Sequence, residues 1–421
     1  MNYRQAIAEL EALPMMPDRA PSLEPTLRAL ERLDISFSDS RVVIVAGTNG
    51  KGSVCACLEA LLLSAGQTTG LYTSPHLVET TERFRRNGKD ISEQEFVQAY
   101  EAVCSRTRGI RLTHFEILTL MAYWTLASGV SAPPVDWLIL EVGLGGTWDA
   151  TNAVPHRICV ITSLGLDHQN LLGDSLTEIA GNKFGVIPKV HPPAVVVHTE
   201  FQDEAVRTLS RKVGAKTNAK FIPATEWTCD VKQETDGPRF CLSTKWGSVE
   251  LGLPGARGAQ NAATALTAFA ALGFNPRDGI QSLSTVRWPG RMERIELARS
   301  PCPVYLSGDH NPQGILSLIE ILNHYPRRTL HLLVGIGKDK DCDSILTSLR
   351  SLPDTRIYLT TTPYRGRVLS EYGRWLSVAD GSFEDPVRGL RRVIEMASAG
   401  DLIVVTGSLY LVGAIHSKTT V

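Results

Sequence analysis

The sequence predicts an α/β protein with two domains, the first built on a parallel sheet and the second smaller and Rossmann-like. Short apolar runs rich in β-branched residues are separated by helical patterns, which is typical of a parallel sheet covered on both faces. A glycine-rich segment joins the first of these runs to a helix, and the alternation of strands and helices returns late in the chain. The length of 421 residues is also too great for one ordinary domain.

The first domain is predicted to span residues 1–294. Its buried strands are expected at four apolar runs, which are residues 41–46, 137–142, 157–163 and 194–198. Residues 221–253 alternate between polar and apolar side chains, which predicts a small antiparallel insertion in the same domain. A helix is expected to follow at residues 261–272.

The second domain is predicted to span residues 295–421. Strand-like runs recur there, with helical patterns between them, at residues 303–306, 330–334, 356–360 and 401–405. A segment of this size is long enough to form an α/β domain of its own.

The overall composition argues against nucleic acid or membrane partners. The chain has 43 Lys and Arg residues against 44 Asp and Glu residues, so it carries no charge excess that would hold a phosphate polymer or an anionic membrane. Its first residues lack the apolar stretch of a signal peptide, and no apolar run reaches the roughly 20 residues that span a bilayer. The eight cysteines are scattered, which is typical of reduced thiols. We therefore expect a cytoplasmic protein that acts on small molecules.

A phosphate-binding loop is predicted directly after the first strand. The loop lies between that strand and an apolar helix pattern, and consists of Gly47, Thr48, Asn49, Gly50, Lys51, Gly52 and Ser53. Glycines let backbone N–H groups approach phosphate oxygens, and a helix N-terminus favours negative charge. Lys51 can neutralise phosphate charge, and the Ser53 hydroxyl can ligate Mg²⁺. A glycine-rich turn without a ligand is the alternative, but the flanking strand and helix favour nucleotide binding.

Polar side chains follow two other predicted strands. Glu141 ends the second apolar run, and His168 follows the third. Because ligands of open parallel sheets bind beyond the carboxyl ends of the strands, both side chains are expected near the phosphate loop. Read alone, Glu141 is equally consistent with a solvated loop acid and His168 with a core histidine.

A further candidate lies on the next helix. Ser175 and Glu178 have the spacing of a capping box, so a helix is expected to begin at Leu176 and to include Lys183. In isolation, Lys183 has the features of a surface lysine.

The run G-T-N-G-K-G-S at residues 47–53 resembles the Mur ligase superfamily, and in particular its folylpolyglutamate synthase/dihydrofolate synthase group. Other matches follow in the same order, at residues 70–77, 141–152, 161–168, 261–263, 290–293, 310–312 and 407–410. The resemblance therefore covers nearly the whole chain. It implies the Mur ligase architecture, in which a P-loop ATPase domain precedes a smaller domain that binds the amino acid.

The resemblance also implies roles for individual residues. It implies two Mg²⁺ sites with ligands from Ser53, Ser74, Glu141, His168 and Lys183, the last of these as a carbamate. It implies that ATP contacts the phosphate loop together with Asn261, Arg291 and Ser307. It implies that the substrates contact Arg83, Phe115, Glu116, Asp149, Ala150 and Ser408, and that the catalytic residues are Lys51, His168, Lys183 and His310. From the residues alone, Phe115 is equally consistent with a core position and Arg83 with a solvated charge.

The chain departs from the family pattern at several places. The family's D-G-A-H-N-P is replaced by S-G-D-H-N-P, so Ser307 stands where an aspartate is expected to hold the ribose hydroxyls, and Asp309 is an additional acid. Other departures are Arg257-Gly258 in place of H-Q and Thr147-Trp148 in place of the R-L of the pteroate loop. These changes concern the ribose contact and the acid substrate, whereas the phosphate and metal positions are intact.

The implied activity is that of an ATP-dependent ligase that joins L-glutamate to dihydropteroate, to folate glutamates, or to both, through an acyl phosphate. A monomer suits the same resemblance. The departures leave open a ligase of the same mechanism that joins a different acid to an amino acid. A nucleotide-binding regulatory protein without turnover fits less well, because it would not require Lys51, Glu141, His168 and Lys183. A simple P-loop kinase also fits less well, because it leaves everything after Arg291 unexplained.

Overall fold

The structure, a computed structural model, describes residues 1–35, 37, 41–129, 132–234, 237–364 and 366–419. The chain forms two compact units. The first consists of Met1–Trp227, Ser243–Val249 and Gln260–Leu283, and the second consists of Thr228–Leu242, Glu250–Ala259 and Ser284–Val421. These bounds differ from the predicted ones, residues 1–294 and 295–421, because segments before residue 294 pack with the second unit.

The centre of the first unit is a mostly parallel sheet. Its strands are β1 (Val42–Ala46), β2 (Thr69–Tyr72), β3 (Phe84–Arg86), β4 (Lys89–Asp90), β5 (Trp137–Glu141), β6 (Ile158–Ile161), β7 (Val195–His198) and β8 (Lys220–Pro223). Their spatial order is β4-β3-β2-β5-β1-β6-β7-β8. The neighbours from β2 to β8 in this order are parallel, whereas β3 and β4 pair in the antiparallel sense at one edge.

Helices precede, connect and follow these strands. They are α1 (Tyr3–Glu11), α2 (Glu24–Leu33), α3 (Lys51–Ser64), α4 (Glu93–Arg106), α5 (His114–Ala127), α6 (Gln169–Leu172), α7 (Leu176–Phe184), α8 (Glu204–Thr217), α9 (Gly255–Ala271) and α10 (Pro276–Gly279). Short 3₁₀ helices are Thr80–Arg83, Ala150–Ala153 and Ile280–Thr285. Helix α3 lies against β1, β2 and β5, and nearly all of its apolar side chains are buried. The capping box at Ser175 begins α7 as the sequence predicts.

The register of the parallel strands aligns three loops. Ala46 at the end of β1 pairs with Ile161 at the end of β6, and Val45 pairs with Glu141 at the end of β5. The loops that follow β1, β5 and β6 therefore leave the same edge of the sheet. The predicted parallel α/β fold is confirmed, and with it the expectation that these three strand ends meet.

The second unit contains a second sheet. Its strands are β12 (Arg291–Ile295), β13 (Val304–Ser307), β14 (Leu330–Val334), β15 (Thr355–Thr360), β16 (Gly381–Phe383) and β17 (Leu402–Thr406), in the order β12-β13-β17-β14-β15-β16. Only β12 among these described strands is antiparallel to its neighbour. The helices are α11 (Pro312–Leu322), α12 (Cys342–Arg350), α13 (Arg374–Val378), α14 (Pro386–Met396) and α15 (Leu409–Thr419), with a 3₁₀ helix at Leu369–Tyr372.

The predicted β insertion is present as β9 (Trp227–Glu234), β10 (Gly237–Thr244) and β11 (Gly247–Glu250), in the order β11-β10-β9. Phe240 on β10 belongs to the apolar core of the second unit, together with Met292 and Tyr305. This packing explains why residues 228–242 group with that unit, although the sequence predicts them in the first domain.

Helix α9 begins at Gly255, six residues before the predicted start at Asn261. Its glycines argue against a helix in the sequence, but Gly258 is required because a Cβ there would lie 2.3 Å from Leu253 O. In the described ranges, no helix combines the length and apolar character needed to cross a membrane.

Candidate functional site

The phosphate loop depends on two glycines with left-handed backbone conformations. Gly47 has φ 147° and Gly50 has φ 88°. A Cβ at Gly47 would lie 1.8 Å from Thr162 Oγ1, and a Cβ at Gly50 would lie 2.4 Å from Asn261 Oδ1. Both the conformation and the close approach therefore require glycine. The short distance at Gly50 also shows that Asn261, a predicted nucleotide contact, lies directly beside the loop.

The loop is hydrogen-bonded to the segment after β6. Thr48 N–H donates to Ser163 O at 2.8 Å, and Ser163 Oγ donates to Asn49 O at 3.1 Å. Thr48 Oγ1 donates to Gly165 O and accepts the Gly165 N–H, each at 3.1 Å. These bonds fix the loop against the segment that follows β6. The prediction omitted Ser163 and Gly165, although their place just beyond a predicted strand end was a usable signal.

Two loop side chains suit a polyphosphate. Lys51, the first residue of α3, lies over the loop, and its Nζ donates to Gly47 O at 3.3 Å and to Thr48 O at 3.1 Å. Ser53 lies in the first turn of α3 and is buried. The N-terminus of α3 adds its partial positive charge at the same place. The loop therefore offers a cation, a hydroxyl and a helix N-terminus.

Lys183 on α7 contacts the same loop. Its side chain is buried, and its Nζ donates to Gly47 O at 2.8 Å. Burial lowers the pKa of Lys183 to about 7, with a further contribution from the charge of Lys51, whereas Asp167 and Asp149 act in the opposite direction. The neutral amine of Lys183 is therefore much more accessible near pH 7 than that of an exposed lysine.

Glu141 and Ser74 are brought together at the end of β5. The Ser74 N–H donates to Glu141 Oε2 at 3.1 Å. Glu141 is buried, with 6% of its surface exposed, and its neighbour in the sheet is the strand that leads into the phosphate loop. The carboxylate is thus held in place by a backbone donor, beside the strand end where phosphates are expected.

His168 precedes α6 with a left-handed backbone, at φ 52°. Its Nε2 lies 4.0 Å from Asp167 Oδ1, and Asp167 also raises the pKa of Lys183, so this turn lies in the electrostatic neighbourhood of that lysine. Over the part of the chain that the structure describes, no three His, Cys, Asp or Glu side chains form a group that could hold a metal ion.

Asp149 and Ala150 shape the loop that follows Glu141. Asp149 accepts hydrogen bonds from Thr151 Oγ1 at 2.6 Å and from the Leu144 N–H at 2.9 Å, and burial raises its pKa. The Tyr123 hydroxyl donates to Ala150 O at 2.9 Å. Both residues are buried and take part in hydrogen bonds that stabilise the loop itself, and a role beside the substrate stays a prediction.

Phe115 and Glu116 begin α5, and both are engaged within the protein. A Cβ at Gly143 would lie 2.6 Å from Phe115 Cζ, so the phenyl ring covers the glycine loop after β5. Glu116 accepts the Thr113 N–H at 2.8 Å in a capping box, and it forms an ion pair with Arg19 at 2.6 Å. Sequence reasoning missed Arg19, since nothing local relates it to a residue 97 positions away.

Arg83 is buried. The sequence alone is equally consistent with a solvated charge at this position. Its Nε donates to His76 Nδ1 at 2.9 Å. Burial, with a contribution from the Arg83 charge, lowers the pKa of His76 to about 3 and that of His114 to about 4. At neutral pH the buried guanidinium therefore lies beside uncharged imidazoles.

Two departures from the family pattern meet in the second unit. Ser307 Oγ donates to Asp309 Oδ2 at 2.7 Å, and Arg257 Nη1 lies 3.7 Å from Asp309 Oδ1. Arg257 also donates to Gln313 O. The residues at 257 and 309 are thus partners in one cluster, which sequence reasoning did not predict because they belong to separate segments.

His310 and Ser408 follow the carboxyl ends of β13 and β17, which are parallel neighbours. His310 Nδ1 lies 2.8 Å from Gly308 O, so in the neutral ring Nδ1 carries the proton and Nε2 is the basic nitrogen. Ser408 Oγ accepts the Tyr410 N–H at 3.2 Å. Arg291 on β12 pairs in register with Ser307. The predicted residues of the second unit therefore share one end of its sheet.

The chain is similar to known proteins over most of its length. The family described as Mur ligase, glutamate ligase domain, matches residues 290–409. The dihydrofolate synthase/folylpolyglutamate synthase of Escherichia coli (strain K12) is 32% identical over 400 residues, which cover 93% of this chain and 90% of the relative.

Solved structures are similar over the full length. The structure of E. coli FolC in complex with DHPP and ADP has a TM-score of 0.83 and 29% identity, covering 99% of this chain and 97% of that one. The bifunctional folylpolyglutamate synthase/dihydrofolate synthase of Yersinia pestis, complexed with AMPPNP and Mn ion, has a TM-score of 0.84 and 28% identity, covering 100% of this chain and 98% of that one.

Proposed function

This chain belongs to the dihydrofolate synthase/folylpolyglutamate synthase family of the Mur ligase superfamily, and from that membership we propose that it joins L-glutamate to a folate-type acid. The reaction consumes ATP and forms ADP and an amide bond. The acid is dihydropteroate, a folate glutamate, or both in turn. The related proteins with bound nucleotide and with bound DHPP support this assignment.

The observation that carries the proposal is that the ends of β1 and β5 lie together with Lys183 of α7 in the first unit. The phosphate loop follows β1, and Glu141 ends the adjacent β5. Lys183 contacts the loop through Gly47 O. A phosphate-binding loop, a carboxylate and a lysine with a lowered pKa thus lie at one edge of the sheet, where ligands of such folds bind.

We assign Lys183 to a carbamate. Carbamate formation joins a neutral amine to CO₂ and releases a proton, and the lowered pKa of Lys183 supplies the neutral amine near pH 7. The carbamate nitrogen keeps one hydrogen, so it can still donate to Gly47 O. The modification would turn a buried cation into an anionic oxygen ligand.

We propose magnesium as the metal, because four of the five side chains assigned to it offer oxygen donors. Mg²⁺ prefers oxygen ligands and usually binds few protein groups together with phosphates and water. We assign its ligands at two sites to Ser53, Ser74, Glu141, His168 and the carbamate of Lys183. When bound, the metal supplies charge neutralisation between phosphate and carboxylate.

In the proposed reaction, a carboxylate oxygen of the acid attacks the γ-phosphorus of ATP and ADP leaves. The amine of L-glutamate then attacks the carbonyl carbon of the acyl phosphate, phosphate leaves, and the amine loses a proton. Lys51 balances the charge of the phosphates, and the fixed loop holds them in line. We assign Arg83 to the acid substrate and His310 and Ser408 to the amino acid.

A second candidate is a ligase of the same mechanism with a different acid. Thr147 is fixed, since its N–H and Oγ1 both donate to Asn182 O, at 3.1 and 3.0 Å. The next residue, Trp148, is 55% exposed. The family has R-L at these two positions. A fixed threonine and a large exposed indole would therefore offer an acid substrate a different surface.

The test is ADP release by the purified protein with ATP, Mg²⁺ and L-glutamate. Dihydropteroate, tetrahydrofolate and no acid are compared, the product mass is recorded, and Lys51→Ala serves as the variant without turnover. Stimulation by either pterin with a mass gain of one glutamyl unit supports the proposal and identifies the step. ATP binding without stimulation by either acid would reject the folate assignment and favour the second candidate.

A further inference from the structure

The loop after β5 packs against the end of α7, the helix that carries Lys183. A Cβ added at Gly146 would lie 2.8 Å from Lys183 O, and a Cβ added at Gly185 would lie 1.8 Å from Thr147 Oγ1. This β5 loop (residues 142–153) therefore approaches the helix so closely that glycine is needed on both sides. None of the roles assigned above explains why the two backbones meet here.

Side chains of the β5 loop cap the C-terminus of α7. The last carbonyl groups of a helix have no partner within the helix and need donors from elsewhere. Asn182 O accepts hydrogen bonds from the N–H and from the Oγ1 of Thr147, at 3.1 and 3.0 Å. Asn152 Nδ2 donates to Gly185 O at 3.2 Å. The loop thus holds the backbone immediately before Lys183 and two residues after it.

The β5 loop is itself held by internal hydrogen bonds. Asp149 accepts the Leu144 N–H at 2.9 Å and the Thr151 Oγ1 proton at 2.6 Å. The Asp149 N–H donates to Gly146 O at 3.2 Å, and the Asn152 N–H donates to Asp149 O at 2.8 Å. The donors that cap α7 therefore belong to a segment whose own conformation is fixed.

This contact joins two residues that are assigned to the metal. Glu141 ends β5 and leads directly into the β5 loop. Lys183 is held through its backbone neighbours by that loop, and its Nζ donates to Gly47 O at 2.8 Å. The position of the lysine relative to Glu141 and to the phosphate loop thus depends on the β5 loop. Thr147 contributes two of the hydrogen bonds that make this link.

We infer that Thr147 is a positioning residue for Lys183, which it holds in place through the Asn182 carbonyl. The inference rests on the proposed function, in which Lys183 takes part in phosphoryl transfer. The contact itself belongs to the folded chain and can be measured without turnover. Loss of the Thr147 hydroxyl should let the last turn of α7 open more often and expose the buried amine of Lys183.

Acetylation of lysine amines by N-acetoxysuccinimide in CO₂-free buffer, followed by peptide mass spectrometry, tests the contact. The rate at Lys183 is measured relative to that at Lys89, an exposed lysine of the first unit. Thr147→Val removes the hydroxyl and keeps the shape, whereas Thr147→Ser keeps the hydroxyl. We expect Lys183 to react about fivefold faster or more in Thr147→Val and at nearly the wild-type rate in Thr147→Ser.

A second variant disturbs the same contact from the helix side. Gly185→Ala should also speed the acetylation of Lys183, because its Cβ would meet Thr147 Oγ1. Thr217→Val is the matched control. Thr217 is partly buried, as Thr147 is, and its Oγ1 donates to Val213 O at 2.8 Å at the end of α8, which carries none of the assigned residues. The control should leave the acetylation of Lys183 unchanged.

The role in the reaction has its own signature in the ligase assay. Thr147→Val should lower kcat per folded protein by about fivefold or more and leave the KM for ATP unchanged, because the phosphate loop keeps its residues. Thr147→Ser should restore kcat, and Thr217→Val should not lower it.

Unchanged acetylation of Lys183 in Thr147→Val, or an equal increase in Thr217→Val, would overturn the inference whatever the activity of the protein. Faster acetylation with an unchanged kcat would also overturn it, because Thr147 would then hold α7 without supporting the reaction. If the wild type ligates neither pterin acid, the proposed function fails, and the acetylation rates still decide whether Thr147 holds Lys183.

Discussion

At the scale of single residues, Lys183 is buried, has a lowered pKa and contacts the phosphate loop. It is 136 positions from Gly47 in the chain, yet its amine donates to the Gly47 carbonyl at 2.8 Å. Burial removes the water that would stabilise its charge, and Lys51 adds repulsion, so the neutral amine becomes accessible at neutral pH. A buried amine in contact with a phosphate loop is a suitable precursor for an anionic metal ligand.

Substitution of Lys183 by Ala should remove that ligand while leaving the loop glycines and Lys51 intact. We expect turnover to fall by about a hundredfold or more, since a ligand that acts on the transition state contributes several kcal/mol, with ATP affinity little changed. Short carboxylic acids should restore part of the rate by occupying the space of the missing carbamate. Lys189→Ala, an exposed lysine five residues after α7, is the control. Full activity of Lys183→Ala would remove the carbamate assignment.

The lowered pKa of Lys183 also predicts how stability depends on pH in CO₂-free buffer. Between about pH 7 and 10.5 the unfolded chain keeps the lysine proton and the folded protein does not, so the free energy of unfolding rises with pH across this window. Below about pH 7 both states are charged, and the folded state carries the full cost of burial, on the order of a few kcal/mol. In Lys183→Met this rise should disappear. Urea unfolding at several pH values measures the free energy of unfolding of both proteins. If that free energy rose with pH equally in Lys183→Met and in the wild type, the lowered pKa of Lys183 would be contradicted.

At the scale of secondary-structure elements, the first turn of α9 and the loop after β13 form one electrostatic unit. Arg257 and Asp309 both depart from the family pattern, and their side chains are mostly buried, with 20% and 16% exposed. Ser307 holds the carboxylate from the other side. A substitution at one position therefore leaves a poorly solvated charge at the other.

A double-mutant cycle on Arg257→Gln and Asp309→Asn tests this coupling. We expect each single variant to destabilise the protein and the double variant to recover part of the loss, with a coupling free energy of about 1 kcal/mol or more. The exposed pair Arg392 and Glu395, on α14 of the same unit, is the control and should couple by less than about 0.5 kcal/mol. Urea unfolding supplies the free energies. Additive effects at 257 and 309 would show that the two side chains do not stabilise each other.

At the scale of the whole molecule, the sequence predicted the strands and helix ends that are marked by a local pattern of residue types. The apolar runs identified β1, β5 and β6, and the capping box identified the start of α7, because burial on both faces and N-terminal capping leave a direct mark on residue type. Parallel strand order then explained why Glu141 and the phosphate loop meet.

What escaped prediction depends on packing between distant segments. The hydrogen bond from Lys183 to Gly47, the Arg19 and Glu116 ion pair and the cluster around Asp309 each join residues that no local pattern relates. The early start of α9 and the membership of β10 in the second unit have the same origin. In each case a tertiary contact outweighs the local preference of the sequence.

The division of the chain leads to a prediction about the whole molecule. Phe240 lies 55 residues before the predicted boundary at residue 295, yet its ring is part of the core of the second unit. Phe240→Ala should therefore weaken that unit by about 3–5 kcal/mol and raise amide exchange in β13 and β17, while strands β1 and β5 stay protected. Phe96→Ala, in the core of the first unit, is the matched control and should give the reverse pattern. Hydrogen exchange followed by mass spectrometry reads both units in one experiment. If Phe240→Ala instead loosened β1 and β5, the insertion would belong to the first domain, as its place in the sequence suggests.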